Sequence, residues 1–197
     1  MKIAGVIVAG GRSSRMGFEK AFALLKGRTI LSHVSSRIAT QVTALVINAN
    51  GDASRFKELG FTVIPDRLTD IDTPLAGIHA AIAFAREHGF DAALTVPSDT
   101  PFMPRDLVPR LQAEKSLPAI AASGDQRHFL TGLWPHNLLE RLEIAIEQDR
   151  IFRVKDWALT SGSAAATWDV DPFDPFFNVN TPIDLAEAER IAAEFAP

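Results

Sequence analysis

A glycine-rich, cationic segment directly follows the first apolar run of the chain. Residues 8–20 read VAGGRSSRMGFEK, so that Gly10 and Gly11 come first and Arg15 and Lys20 follow. Glycine lets backbone N–H groups approach phosphate oxygens closely. Arginine can bind phosphate through two parallel hydrogen bonds, and lysine is a compact point charge. These residue types predict a loop that binds phosphate groups.

Two common phosphate-binding motifs have a different spacing. A Walker A loop carries lysine directly after its last glycine, whereas Phe18 follows Gly17 in this chain. The dinucleotide fingerprint has a glycine at the position that Arg12 occupies. A surface loop with solvated arginines is the alternative, and two glycines alone would favour it. The glycines and the cations together favour anion binding.

Asp99 is the acidic residue best placed to meet such a loop. It follows the apolar run Ala92–Val96, which predicts a strand, and precedes Thr100 and Pro101. Magnesium favours oxygen ligands and is usually held by one or two carboxylates together with waters and phosphate oxygens. A lone aspartate ahead of Pro104 would more often cap a helix.

Other polar residues also follow apolar runs. Asn48 and Asp66 come at the ends of two such runs, where turn formation is the ordinary explanation. Asn178 and Asn180 are two residues apart, so they share one face of an extended segment. Two amides on one face can bind a polar heterocycle such as a pterin, or a phosphate. On spacing alone, turn formation before the last helix explains them equally well.

The elements that must position these residues alternate between strands and helices. Strands are expected at Lys2–Ala9, Thr43–Asn48, Phe61–Ile64, Ala92–Val96 and Leu117–Ala121, and later at 127–134 and 164–170. Helices are expected at Leu31–Ala39, around 75–85, and at Pro104–Glu114, Pro135–Gln148 and Pro182–Phe195. This order predicts an α/β fold with a mostly parallel sheet and one antiparallel strand. Ligands of such sheets bind at the carboxyl ends of the strands.

Composition narrows the function classes. The 197 residues suit a single domain without a linker, and the net charge of −4 gives no overall footprint for nucleic acid or an anionic membrane. The absence of cysteine excludes disulfides, thiolate nucleophiles and Cys-bound metals, and favours a cytoplasmic location. No apolar run approaches the ~20 residues of a membrane helix. The five histidines lack metal-binding spacing, so surface or packing roles are expected.

Several segments together resemble a known enzyme family. Ala9-Gly10-Gly11, Ser14-Arg15-Met16-Gly17 and Lys20 resemble the (L/V)-A-G-G-x-S-x-R-M-G-x-x-K signature of nucleotidyltransferases, and in particular of the molybdenum cofactor guanylyltransferases. Residues 64–66 (IPD), 73–78 (TPLAGI), 96–102 (VPSDTPF) and 178–182 (NVNTP) match the same family in the same order. The Gly-Gly form and the Pro-Leu-Ala-Gly segment favour the guanylyl branch over the cytidylyl branch.

The resemblance implies a fold and a reaction. The fold would be a single-domain, Rossmann-like three-layer nucleotidyltransferase, with residues 1–103 mainly binding nucleotide and 104–197 mainly binding the acceptor. The terminal phosphate of Mo-molybdopterin would attack the α-phosphorus of GTP and release pyrophosphate. A phosphate nucleophile is already ionised near neutral pH, so positioning and charge neutralisation can carry the transfer without a catalytic histidine or serine.

The resemblance also assigns roles to individual residues. Catalysis would rest on Arg15, Lys20 and Asp99, with Asp99 holding Mg²⁺. The nucleotide would be bound by Val8, Ala9, Gly10, Gly11, Lys20, Asn48, Asp66, Leu75, Ala76, Gly77 and Asp99. Asn178 and Asn180 would bind the acceptor. The family often has glycine where this chain has Thr73, which resists a positive φ and makes the local loop geometry a point to check.

The partners implied are GTP and Mo-molybdopterin, with transient contacts to molybdoenzymes or their chaperones, and the chain is expected to be a monomer. Two alternatives stay open. One is transfer of a cytidylyl group, or transfer to a sugar 1-phosphate. The other is a non-enzymatic module that delivers the cofactor, in which Lys20 and Asp99 would lack a purpose.

Overall fold

The computed structural model describes residues 1–9, 20–52, 54–68 and 73–195. In chain order the strands are β1 (Ile3–Val8), β2 (Leu24–Leu25), β3 (Arg28–Thr29), β4 (Ala44–Asn48), β5 (Val63–Ile64), β6 (Ala92–Pro97), β7 (Ala119–Ser123), β8 (Gln126–Pro135) and β9 (Ala164–Trp168). The helices are α1 (Ile30–Ile38), α2 (Ser54–Glu58), α3 (Pro74–Glu87), α4 (Leu107–Gln112), α5 (Leu139–Glu147), α6 (Val154–Thr160) and α7 (Pro182–Glu194). Short 3₁₀ turns span Lys20–Phe22 and His136–Leu138.

Seven of the described strands form one sheet in the order β5-β4-β1-β6-β8-β7-β9. Strand β1 pairs in parallel with β4 and β6, whereas β8 pairs antiparallel with both β6 and β7. In this sheet β8 therefore runs against the other six strands, which confirms the mostly parallel sheet and the antiparallel strand. All six residues of β1 are buried, as expected for a central strand covered on both faces.

Helices cover both faces of the sheet. Buried residues of α1, α4 and α7 pack on one face, in a cluster that includes Val34, Leu111 and Ile191. Buried residues of α3, α5 and α6 pack on the other, in a cluster that includes Ile78 and Trp157. The three-layer α/β architecture predicted for the chain is thus confirmed. Among the described residues, no helix is long and apolar enough to cross a bilayer.

The helix expected at Pro104 begins three residues later, at Leu107. The side chain of Gln41, which lies outside this segment, bonds both to the residue where the helix was expected to begin and to the first turn of α4. Its Nε2 donates to the carbonyl of Pro104 at 3.0 Å, and its Oε1 accepts the backbone N–H of Val108 at 2.9 Å. The N–H group of the second helical residue is thus satisfied by a distant amide.

One further expectation is refined by the structure. The segment from Pro135 starts as a 3₁₀ turn, and α5 begins only at Leu139. Before α6, Arg150 has φ 56°, and its guanidinium lies 5.1 Å from the ring centre of Phe152. Phe176, before α7, lies in the core at 2% exposure.

Replacing Gln41 with alanine should lower the free energy of unfolding by about 1–3 kcal/mol, because the N–H of Val108 and the carbonyl of Pro104 would lose their partner. Chemical denaturation measures the change. Gln112→Ala, at an exposed position of α4, is the matched control and should have little effect. Equal losses in the two variants would show that Gln41 does not hold the start of α4.

Candidate active site

Lys20, Asp99 and Asn180 meet at the carboxyl edge of the sheet. Lys20 Nζ donates to Asn180 Oδ1 at 2.7 Å, although 160 residues separate the two along the chain. The positive charge of Lys20 acts on the carboxyl group of Asp99, where it opposes the rise in pKa that burial causes. The backbone N–H of Val179 donates to the backbone carbonyl of Asp99 at 2.9 Å, which fixes the segment of Asn180 beside the end of β6.

Asp99 holds a buried carboxylate oxygen without a hydrogen-bond partner. The Oδ1 atom is fully buried, and no donor to it is found in the described part of the chain. Burial raises the pKa of Asp99, and the nearby charge of Lys20 opposes that rise. A buried polar atom without a partner costs free energy, so its presence points to a ligand that binds there.

A divalent cation fits this oxygen. Among residues 1–9, 20–52, 54–68 and 73–195, no group of three or more acidic or histidine side chains is arranged to hold a metal. An ion of the magnesium type does not need one, because it keeps several waters and takes its remaining ligands from phosphate oxygens. Asp99 thus fits as the protein ligand of an ion that arrives with a nucleotide.

A second polar group lies at the ends of β4 and β5. Asn48 is 1% exposed, and its Nδ2 donates to Asp66 Oδ1 at 2.9 Å. Asn50 Nδ2 donates to Asp66 Oδ2 at 2.6 Å, and the backbone N–H of Asp66 donates back to Asn50 Oδ1 at 2.9 Å. Both oxygens of the Asp66 carboxylate are therefore oriented by amides.

Gly77 is required where α3 crosses β1 and β4. A Cβ atom at this position would lie 2.6 Å from Asn48 Oδ1 and 2.9 Å from Val8 Cγ1. The glycine thus lets the helix approach the end of the sheet closely enough to contact Asn48. Val8, Asn48 and Gly77, all assigned to the nucleotide, are in this way brought together.

Thr73 has a structural explanation that does not need a positive φ. It is the N-cap of α3, with φ −139° and ψ 156°, and its side chain accepts the N–H of Leu75 at 3.2 Å. The N–H of Ala76 bonds to the carbonyl of Thr73 at 3.0 Å. Leu75 and Ala76 are fully buried, so their side chains pack in the core instead of lining an open surface.

Of the remaining assigned residues, three lie outside the described part of the chain: Gly10, Gly11 and Arg15. The others are described. Ala9 is half-buried, and its N–H donates to the carbonyl of Asn48 at 2.9 Å. Asn178 is exposed and is separated from exposed Asn180 by buried Val179, an alternation that fits two amides on one face.

Comparisons with known proteins identify the family of the chain. A family model for the MobA-like NTP transferase domain matches residues 5–160. A molybdenum cofactor guanylyltransferase from Bradyrhizobium sp. (strain ORS 278) is 44% identical over 198 residues, which covers 97% of this chain and 93% of that protein.

The chain belongs to the molybdenum cofactor guanylyltransferase family. It is therefore a nucleotidyltransferase enzyme.

Solved structures show the same fold. Molybdopterin-guanine dinucleotide biosynthesis protein A from Archaeoglobus fulgidus matches with a TM-score of 0.69 and 25% identity, covering 99% of this chain and 100% of that one. A Mycobacterium tuberculosis protein, solved as a complex with manganese, matches with a TM-score of 0.65 and 18% identity, covering 96% of this chain and 99% of that one.

Two residues of the site were not predicted from the sequence. Asn50 orients Asp66, and Asp184 accepts the N–H groups of Asn180 and Thr181 at 2.9 and 2.8 Å. Asn50 follows Asn48 at the same two-residue spacing as the later Asn pair, and that spacing could have drawn attention to it. Asp184 lies three residues after Thr181, as in a capping box, which would have predicted its contact with the helix start.

Gly77→Ala should weaken GTP binding by this nucleotidyltransferase, because the new methyl group would displace the side chain of Asn48 and with it Asp66. A Kd for GTP about tenfold higher than that of the wild type is expected if one charge-assisted contact is lost. Isothermal calorimetry measures it.

The matched control is Gly132→Ala in β8, where a Cβ atom would lie 2.9 Å from the ring of Trp134, in another part of the sheet. This variant should lose stability but keep its GTP affinity. A similar Kd for both variants would contradict the role given to Gly77.

Asp99→Asn should make the ligand-free enzyme more stable at neutral pH. The pKa of Asp99 is raised in the folded state, so its contribution to stability is full below the ordinary value of 3.8 and is lost as pH rises through the raised pKa. The difference in unfolding free energy between variant and wild type should therefore grow from pH 4 to pH 7. Urea denaturation across this range measures it, with Asp125→Asn at an exposed turn as the control. A difference that is constant with pH would contradict the burial argument.

Proposed function

We propose that the protein transfers GMP from GTP to the terminal phosphate of Mo-molybdopterin, with release of pyrophosphate and formation of molybdopterin guanine dinucleotide, in a magnesium-dependent reaction. One observation carries the proposal beyond family membership. The buried oxygen of Asp99, which has no partner among the described residues, and the ammonium group of Lys20 share one edge of the sheet. A triphosphate bound with its metal ion is the ligand whose charges match both groups.

The reaction is a single displacement at the α-phosphorus. An oxygen of the acceptor phosphate forms the new bond to phosphorus, and the bond to the β-phosphate bridging oxygen breaks. The bonding electrons leave with pyrophosphate. No proton has to be removed from the nucleophile, because the acceptor phosphate is already ionised near neutral pH. Positioning and neutralisation of the negative charge are then the tasks of the protein.

Lys20 is suited to neutralise the triphosphate. Its hydrogen-bond acceptor among the described residues is Asn180, an uncharged amide, and no described carboxylate forms a direct hydrogen bond with it. The hydrogen bonds of Asn180 to Asp184, and of Val179 to Asp99, hold this acceptor in place. A phosphate oxygen would replace the amide oxygen with a stronger, charge-assisted bond.

Asp99 would hold the magnesium ion. When bound, Mg²⁺ would supply charge neutralisation to the phosphate oxygens. Burial keeps the Asp99 carboxylate out of bulk water. Its interaction with positive charge is therefore stronger than it would be at the surface. We assign Arg15 and the backbone of Gly10 and Gly11 to the phosphates on the resemblance of their segment alone.

The Asn48–Asp66–Asn50 group is assigned to the base. Guanine presents hydrogen-bond donors, including its N2 amino group, and an ionised carboxylate accepts only. Each oxygen of Asp66 takes one amide bond in the structure and keeps a further lone pair for a ligand. Asp66 can therefore accept hydrogen bonds from guanine, and the choice of GTP over CTP as substrate is proposed from membership of the guanylyltransferase family.

The strand order supports a division of the site. The residues assigned to the base follow β4 and β5 on one side of β1, whereas β6, β8 and β7 lie on the other side. We propose that residues 1–103 mainly bind the nucleotide, and that 104–197, including Asn178 and Asn180, mainly bind the acceptor. A monomeric state, a cytoplasmic location and transient contacts with molybdoenzymes or their chaperones stay predictions. Membership of an enzyme family supports catalysis over the non-enzymatic delivery module.

Lys20→Ala and Asp99→Ala should each lower kcat/KM for GTP by on the order of 10²-fold or more, because each removes a charge that acts on the phosphates in the transition state. Release of pyrophosphate from GTP in the presence of Mg²⁺ and Mo-molybdopterin is the assay. CTP in place of GTP should give little pyrophosphate.

Lys26→Ala is the control for loss of a lysine, since Lys26 is paired with Glu189 on α7 at 3.3 Å. It should leave kcat/KM close to the wild-type value. A near-normal kcat/KM in either Lys20→Ala or Asp99→Ala would contradict the catalytic role assigned to that residue.

A further inference from the structure

We propose that His128 is a binding residue for the acceptor and donates a hydrogen bond from Nδ1 to an oxo group of its pterin ring. The inference rests on the proposed function and adds a residue for which the sequence predicted only a surface or packing role.

The position of His128 in the sheet supports this role. The register of β6 with β8 pairs Thr95 with Gly132. Asp99 lies in a turn directly after β6, which ends at Pro97. Because β8 runs antiparallel to β6, going back along β8 from Gly132 leads toward the same carboxyl end of β6, and His128 lies there after a register shift in the pairing of β8 with β7. It lies on the side of β6 away from the residues assigned to the base.

A second connection runs through the segment that precedes α7. The ring of His128 stacks on Phe176 with centroids 4.5 Å apart and an interplanar angle of 25°. Three residues later, the N–H of Val179 bonds to the carbonyl of Asp99. One short segment therefore contacts both His128 and the residue assigned to the metal, and it continues directly into Asn180.

The hydrogen bonds of the ring define which nitrogen faces the acceptor. His128 Nε2 lies 2.7 Å from the hydroxyl of Ser123, which is 2% exposed. No other acceptor for this hydroxyl occurs in the described part of the chain, so the hydroxyl donates to Nε2 and the proton of the neutral ring resides on Nδ1. The ring is half-buried, and Nδ1 has no hydrogen-bond partner among the described residues. Because Nδ1 is also not a fully buried atom, it reaches solvent.

The electrostatics favour an uncharged group of the acceptor. Burial lowers the pKa of His128, and the charge of Asp174 opposes this, so the ring is neutral near pH 7. A neutral N–H donor beside the negative charge of Asp174 suits a carbonyl-type oxygen better than a phosphate. The Ser123–His128–Asp174 set does not act as a hydrolytic triad, because the Ser123 hydroxyl is buried and already donates to the ring.

Two variants separate acceptor binding from a structural role. Asparagine places its amide where histidine has Nδ1, whereas glutamine places its amide where histidine has Nε2. His128→Gln should therefore keep the contact with Ser123 but lose the contact with the acceptor. His128→Asn should do the reverse. For His128→Gln we expect a KM for Mo-molybdopterin raised by about tenfold or more, with the KM for GTP unchanged.

His128→Asn should keep a KM for Mo-molybdopterin much closer to the wild-type value. Molybdopterin lacking its terminal phosphate, used as a competitive inhibitor, reports on the ring alone, and its inhibition constant should rise with the KM in His128→Gln. Thermal unfolding verifies that both variants fold.

The outcomes are distinct. A wild-type enzyme that releases no pyrophosphate from GTP and Mo-molybdopterin would overturn the proposed function. Normal wild-type turnover with an unchanged acceptor KM in His128→Gln would overturn only the present inference. A raised KM in His128→Asn but not in His128→Gln would assign the ring to structure. An inhibition constant that stays constant in His128→Gln while the KM rises would place the contact on the phosphate and would overturn the assignment to the ring.

Discussion

The site depends on a carboxylate that the fold keeps buried beside a lysine. Asp99 follows β6, its Oδ1 has no partner among the described residues, and burial raises its pKa while Lys20 acts against that rise. Such an arrangement is unfavourable without a ligand. Two hydrogen bonds, from the N–H of Val179 to the carbonyl of Asp99 and from Lys20 Nζ to Asn180 Oδ1, hold both groups at one edge of the sheet. We propose that the binding of a cation and phosphates offsets this cost in free energy.

Neighbouring elements position further polar residues at the same edge of the sheet. Thr73 caps α3, and Gly77 lets that helix contact Asn48, which in turn orients Asp66. On the far side of β6, the antiparallel strand β8 carries His128 toward the carboxyl end of β6, which Asp99 follows. The nucleotide and the acceptor are thus assigned to opposite sides of one strand, with the proposed displacement at the end of that strand.

Much of the fold could be predicted from the sequence, because local patterns decide it. The buried run of β1 and the cap at Thr181 are readable from apolar runs and from residue types near a proline. The start of α4 could not be predicted from local patterns, since it involves Gln41, more than sixty residues away. The site followed the same rule. Asp99 could be predicted from its position after a strand, but the bond from Lys20 to Asn180 and the role of Asn50 depend on contacts that only the folded chain creates.

A double-mutant cycle between Lys20 and Asp99 tests most directly whether the two residues clamp one triphosphate. The value to measure is kcat/KM for GTP, at saturating Mo-molybdopterin and Mg²⁺, in Lys20→Ala, Asp99→Ala and the double variant. If both side chains hold the same phosphates, the loss in the double variant will be much smaller than the product of the two single losses. A loss equal to that product would mean that Lys20 and Asp99 act independently, and would contradict a shared clamp.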